Sequence, residues 1–262
     1  MKAPWRPMTL TVVAIICGLL IGLASPVRAQ NTAGFALRGK VLTLHLYGPV
    51  NGAPVIVASG DGGWVHLGPH VADVLARAGH FVVGVDSKQY LSAFTAGTTT
   101  LRPQDVPRDF RALIDYAARS AHVKPVLVGV SEGAGLSVLA ATDPSVRAVV
   151  GGVIALGLPD RNELGWRWKD AVIYITKGVP DEPTFSVANL IERVAPLPLA
   201  AIHATGDEFV PVADIQRMMA RAAEPKRLWI LKASNHRFSD NEREFDRRLA
   251  EALEWVRANA PR

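Results

Sequence analysis

Between Val126 and Gly135 the chain reads VLVGVSEGAG: an apolar run that stops abruptly at a serine set between Gly129 and Gly133. Continuous apolar residues bounded by glycine fit a strand buried on both faces, and the small residues from Ala134 to Ala141 fit a helix packed tightly against it. A Gly-x-Ser-x-Gly at a strand-to-helix junction is a turn so sharp that the neighbouring positions must lack bulky side chains. It presents the serine oxygen above the carboxyl edge of a parallel sheet, where the first amides of the following helix also point. Five such residues arise by chance easily, so the strand–turn–helix context carries the weight. The plainer alternative is a glycine-rich turn with a capping serine.

On either side of this stretch the pattern alternates between strand and helix. Val41 to Tyr47 is apolar at every second position, Val55 to Ala58 is continuously apolar, and Phe81 to Val85 and Val149 to Leu156 read as strands. So do Leu199 to Ala204 and Leu228 to Leu231. Apolar residues at helical spacing mark helices through Val71, Val74, Leu75 and Ala78, through Phe110, Leu113, Ile114 and Ala117, through Ile215, Met218, Met219 and Ala222, and through Phe245, Leu249, Leu253 and Val256. Strands alternating with helices imply one α/β domain over residues 30–262, with a mostly parallel sheet flanked by helices. The long irregular region 157–198, between the strands Val149–Leu156 and Leu199–Ala204 and rich in Trp, Pro and charge, has the composition of a small cap.

A serine nucleophile needs a base, and the base needs an orienting acid. In such a sheet they follow the serine in the order acid, then histidine. Of the seven histidines, His236 in KASNHRF lies beyond the last strand, while His203 sits within a strand and reads as a core residue. Asp207 in ATGDEFVP leaves the penultimate strand where the acid is expected, with Glu208 its rival; a turn or capping aspartate is the plainer reading. The oxyanion hole needs backbone donors, and the expected ones are the amide of Glu132 and that of Asp61 or Gly62 in the loop ASGDGGW. No phosphate-binding Lys-Ser/Thr signature follows that loop, and no cofactor is expected. His66 and His70 have a metal-ligand spacing, but Gly68 and Pro69 disfavour a helix there and no third ligand is apparent, so no metal is expected.

The N-terminus has a different character. Lys2 and Arg6 precede an uncharged apolar run from Met8 to Ala24, and Pro26-Val27-Arg28-Ala29 offers a small-residue cleavage site. Residues 1–29 therefore read as a secretory signal peptide and the mature protein as secreted, with an uncleaved anchor as the alternative. That segment holds three of the 29 basic residues and none of the 24 acidic ones, so the net charge of +5 falls to +2 without it. Such a balance gives no reason to expect nucleic acid as a partner. The single cysteine, Cys17, also lies there, which leaves no thiolate or disulfide chemistry beyond it.

SGDGGW (59–64), VVGVDSKQY (82–90), GVSEGAG (129–135) and NHRF (235–238) together resemble the VirJ/AcvB family of periplasmic bacterial virulence proteins, members of the α/β-hydrolase superfamily. The resemblance runs from about Val55 to Val256. It implies an α/β-hydrolase fold and hydrolysis of aminoacylated phosphatidylglycerol, chiefly the lysyl ester, with Ser131 and His236 at the family's catalytic positions. The chain departs from the family at Glu132, where an aromatic or apolar residue is usual, and at Gly135, where an acid is. Asn235-His236 stands for paired histidines, and Tyr90-Leu91-Ser92 for a longer aromatic run. An aminoacyl ester carries an ammonium close to the scissile carbonyl, so Asp61 and Glu132 are candidate substrate-binding residues, with Glu163 and Asp170 behind them. Trp64, Trp166 and Trp168 suit a rim facing a membrane surface, although core packing explains them equally. A non-catalytic periplasmic adaptor on the same fold and a serine peptidase are the competing functions.

Overall fold

The N-terminal edge is a hairpin. Asn31–Leu37 (β1) and Lys40–Tyr47 (β2) pair antiparallel, turning at Arg38-Gly39, where both residues have positive φ. Glycine adopts that conformation at no steric cost. β1, absent from the sequence reading, is exposed at most positions, so its apolar pattern is weak. The structure, a computed structural model, describes residues 31–168 and 182–261. The expected signal peptide and Asp170 lie outside the described residues.

Beyond the hairpin come Pro54–Ala58 (β3), Leu67–Arg77 (α1), Phe81–Val85 (β4), Ser87–Ala93 (α2), Asp105–Ala117 (α3) and Val126–Val130 (β5). Glu132–Ala141 (α4), Pro144–Arg147 (α5), Gly152–Leu156 (β6), Arg161–Glu163 (β7) and Thr184–Ser186 (β8) follow. Leu199–Ala204 (β9), Val212–Arg221 (α6), Lys226–Leu231 (β10) and Glu242–Ala258 (α7) complete the chain. Eight strands make the main sheet, in the order β1-β2-β4-β3-β5-β6-β9-β10. It is parallel from β4 to β10, and β2 runs antiparallel to β4. This is the mostly parallel sheet flanked by helices that the pattern implied, in the α/β-hydrolase arrangement that the resemblance implied.

Alternation along each strand divides the core in two. Val55 and Val57 of β3, with Val126 and Val128 of β5, face α1 and α7, while Ile56 and Leu127 face α3, α4 and α6. Each fully buried aliphatic side chain of this kind contributes on the order of 1.5–3 kcal/mol. The hairpin is tied down by Asp109 of α3, which is fully buried and accepts hydrogen bonds from Arg38 Nη2 (2.5 Å) and Tyr90 Oη (2.8 Å). Tyr90 is thus a structural anchor.

Between β6 and β9, β7 and β8 pair as a small antiparallel ribbon. Its Asn162 is fully buried against α4. Among the described residues no helix is long and apolar enough to cross a membrane. The loops leaving β3, β5, β6, β9 and β10 all emerge at the carboxyl edge of the parallel strands, where open α/β sheets bind ligands.

Candidate active site

Ser131 joins β5 to α4 with φ 50° and ψ −116°, a left-handed-side conformation that costs a non-glycine residue roughly 1–3 kcal/mol. Its neighbours show why they are glycines. A Cβ on Gly129 would lie 2.2 Å from Gly133 O, and one on Gly133 would lie 2.4 Å from both Ala58 O and Ser59 O. The strained turn is held by Ser131 N–H donating to Leu156 O (2.8 Å) and by Ala134 N–H donating to Ser131 O (2.8 Å). All ten residues of α4 are buried, which accounts for their small size and for the want of an amphipathic pattern.

Asp207 and His236, 29 residues apart, meet at 2.6 Å between Oδ2 and Nδ1. Asp207 is fully buried as a side chain, and its Oδ1 accepts the amides of Phe209 and Val210, both at 2.9 Å. Burial pushes this carboxyl up, but the bond and charge of His236, together with the two amides, outweigh it and hold the group below its ordinary value. Glu208 has a different part: its Oε2 accepts the backbone N–H of His236 at 2.7 Å, fixing the main chain of the loop. The structure thus separates the two rivals, with Asp207 on the ring and Glu208 on the backbone. His236 Nε2, the atom that would take a proton, is buried and has no hydrogen-bond partner.

Two residues that sequence reasoning missed complete the setting of His236. Gly157, at the end of β6, has φ +58°, and a Cβ there would come within 2.4 Å of the ring's Cε1. Phe209 meets the ring edge-on at 5.4 Å. The signal for the first was a glycine ending a buried strand in ALGLPD; for the second there was none. His203 is fully buried in β9, bonded through Nε2 to Val210 O (2.9 Å). Burial lowers its pKa more than Asp207 raises it, which favours the neutral form of this core histidine behind Asp207.

The loop after β3 passes directly beside the serine: a Cβ on Gly60 would lie 3.5 Å from Ser131 Cβ. Gly63 N–H donates to Gly60 O (3.1 Å), closing a turn over Asp61 and Gly62. The amide of Glu132, first in α4, belongs to the helix end whose N–H groups lack intrahelical acceptors. These are the expected oxyanion donors, and all three residues line one cleft of about 520 Å³ with Ser131 and His236.

Acids occupy the depth of that cleft and cations its rim. Glu132 is buried, and its Oε1 accepts the N–H of Glu163 at 2.7 Å. Burial, reinforced by the charges of Glu163 and Asp61, pushes the Glu132 carboxyl well above the usual range, against the lowering by that N–H. Glu163 is buried too, whereas Arg161 and Arg237 are exposed. At Gly135, the amide of Asn162 fills the space, and a Cβ there would lie 1.9 Å from its Oδ1.

Trp64 falls elsewhere than expected. Its ring stacks on His45 (4.8 Å, 9°), lies against Gly84 and donates Nε1–H to Tyr47 Oη (3.2 Å). It therefore lines a neighbouring groove rather than the cleft with the serine, because the turn at Gly63 carries the chain away from Ser131. Trp166 is buried in the wall between the two, and Trp168 is 80% exposed. His66 precedes α1 rather than joining it, and His70 pairs with Asp246 (2.7 Å).

Solved structures with this fold include Est1E from Butyrivibrio proteoclasticus, with a TM-score of 0.64 at 14% identity over 87% of this chain and 99% of that one. The esterase PF2001 of Pyrococcus furiosus gives 0.61 at 18% identity over 86% and 90%. The α/β hydrolase GrgF from Penicillium sp. sh18 gives 0.62 at 17% over 87% and 99%. At such identities the likeness is one of fold. No curated protein sequence matches the chain. The sequence pattern of the family described as bacterial virulence protein (VirJ), by contrast, matches residues 53–222, from β3 through Asp207 to the end of α6. A match over more than half of the sequence makes this chain a member of the VirJ family of bacterial virulence proteins, built on the α/β-hydrolase fold.

Proposed function

We propose that this protein is a serine ester hydrolase working through an acyl-enzyme on Ser131. The observation that carries the reading is the Asp207–His236 pair, held at 2.6 Å with Nε2 unpartnered, in the same cleft as a serine on a strained elbow. Ser131 Oγ attacks the ester carbonyl as its proton passes to His236 Nε2, and Asp207 stabilises the imidazolium and fixes the ring. The amides of Glu132 and of Asp61 or Gly62 receive the oxyanion. Collapse expels the alcohol, which takes the proton from Nε2. Water then cleaves the acyl-enzyme by the same steps in reverse, restoring the serine.

The substrate we propose is an aminoacyl ester of phosphatidylglycerol, met in the periplasm at the membrane surface. Family resemblance suggests it, and the charge layout supports it: Asp61 and Glu163 give an ammonium opposite charges in a partly desolvated cleft, and Glu132, whose ionisation burial and those two charges oppose, is an acid that an ammonium beside it would help to ionise. A neutral acyl ester would gain nothing from them. The structural neighbour PF2001, an esterase, agrees with ester cleavage.

A fluorophosphonate probe should label the wild type, and Ser131→Ala should abolish labelling. Equal labelling of both would remove Ser131 as nucleophile, and labelling of neither would leave the adaptor reading. Lysyl-phosphatidylglycerol and a neutral nitrophenyl ester should then be compared in the wild type and Asp61→Asn. Preferential loss of the lysyl substrate is the expected result, and equal losses would reduce the protein to a general esterase.

A further inference from the structure

Beside the catalytic cleft lies a second, larger groove of about 850 Å³, bounded by α2 and the segment Trp166–Trp168. The two share Gly62, Gly63, Val65, Lys88 and Trp166, so they are one continuous surface divided at Lys88. The catalytic half holds the buried acids. The other half has a different chemistry, and the proposed reaction leaves it unused.

Lys88 is its distinctive group. The ammonium sits 4.3 Å from the ring centroid of Trp166 and 5.4 Å from that of Trp168, and it has no carboxylate partner among the described residues. An ammonium held over aromatic faces keeps its charge and gains position, but its hydrogen-bonding capacity stays open. The other charges nearby are committed. Arg167 pairs with Glu182 and donates to Gly97 O. Asp86 caps α2 by accepting Gln89 N–H at 2.9 Å. Burial lowers the pKa of His45 more than Asp86 raises it, which favours the neutral ring. The indole N–H of Trp166, buried at the junction of the two clefts, also has no acceptor. At the lips, Trp168 and Val65 are exposed, 80% and 49%.

We propose that this groove is a phosphodiester subsite, in which Lys88 faces the phosphate of a phospholipid head group whose acylated end lies in the catalytic cleft. The proposal rests on the aminoacyl-phosphatidylglycerol reading and deepens it. Such a substrate is bipolar, cationic at the aminoacyl end and anionic at the phosphate, and the surface is acidic at the nucleophile and cationic next to it. An ammonium recognises phosphate oxygens as a point charge with several donors. Exposed Trp168 and Val65 supply the apolar lips that an interfacial substrate requires, since indole rings favour the head-group region.

The test uses binding rather than turnover, so it stands apart from the substrate reading. Calorimetry would compare glycerophosphoglycerol, the deacylated head group, with inorganic phosphate on the whole protein. Wild type should bind the head group more tightly than phosphate. Lys88→Met should weaken head-group binding by about tenfold, the scale of one charge-assisted hydrogen bond. Lys88→Arg should stay within about threefold of wild type, and Lys232→Met, which removes an exposed charge elsewhere, should bind as wild type does. Failure of wild type to bind, or equal affinity in Lys88→Met and wild type, overturns the proposal. Equal affinity for phosphate and head group overturns the lipid assignment. Hydrolysis of lysyl-phosphatidylglycerol is assayed separately: its absence alongside a Lys88-dependent head-group affinity would sink the substrate reading and leave the subsite.

Discussion

Replacing Asp207 by asparagine should reduce ester hydrolysis by about 10⁴-fold, the scale on which a triad acid acts when its charge and its control of the histidine tautomer are lost together. The geometry explains why the loss should be so large. Oδ1 of Asp207 is engaged by the amides of Phe209 and Val210, both at 2.9 Å, so an asparagine keeps its carbonyl oxygen there. Its NH₂ group then faces His236 Nδ1 in place of Oδ2, which stands at 2.6 Å. An N–H pointing at Nδ1 makes that nitrogen an acceptor and moves the ring proton to Nε2, the atom that must receive the proton of Ser131. At 1.36 kcal/mol per decade the expected loss corresponds to about 5.4 kcal/mol of barrier. Glu208→Gln keeps an oxygen for the His236 N–H and should cost less than about tenfold. The assay is kcat/KM on a soluble nitrophenyl ester, with circular dichroism to confirm that both variants are folded. Activity of Asp207→Asn within tenfold of wild type, or a larger loss in Glu208→Gln, would refute the assignment of the acid.

Gly157→Ala should leave the fold intact and cut kcat/KM by on the order of 10²-fold, because its Cβ would meet His236 Cε1 at 2.4 Å and push the ring aside; a melting curve beside the kinetics separates the two effects. Gly133→Ala places a Cβ 2.4 Å from two carbonyl oxygens and should destabilise the protein by about 3 kcal/mol or more, read from denaturant unfolding. Glu132 has a raised folded-state pKa, chiefly through burial, so the native state holds its proton more tightly than the unfolded chain. Stability should therefore fall as pH rises from the ordinary carboxylate range through that raised value, and Glu132→Gln should flatten this slope. An unchanged slope in the variant would mean that Glu132 carries no such penalty.

Local order along the chain was readable because it follows from near neighbours. The apolar run of β5, the glycines around Ser131 and the small residues of α4 each constrain the adjacent backbone, so a strand, a sharp turn and a buried helix follow from the letters alone. Asp207 and His236, which the structure brings together at 2.6 Å, were picked out the same way, by their positions after β9 and β10. β1 escaped because an exposed edge strand needs little apolar patterning, and the ribbon of β7 and β8 because three-residue strands carry almost no periodic signal.

Other features depend on residues far apart in sequence and close in space. Whether Asp207 or Glu208 reaches the ring turns on which way a loop presents two adjacent carboxylates, and the amides of Phe209 and Val210 settle that by binding Asp207 Oδ1. Trp64 looked like part of the substrate site by its nearness to Asp61, but the turn at Gly63 sends it onto His45 and Gly84 in the next groove. Glu132 follows Ser131 in sequence, yet the partner of its buried carboxyl is Glu163, 31 residues on, whose N–H it accepts. Periodicity and turn chemistry act through neighbouring residues, and so they are written in the order of the chain. Burial, charge pairing and the direction of a side chain depend on which segments the folded sheet brings together, and they emerge only when its strands are in register.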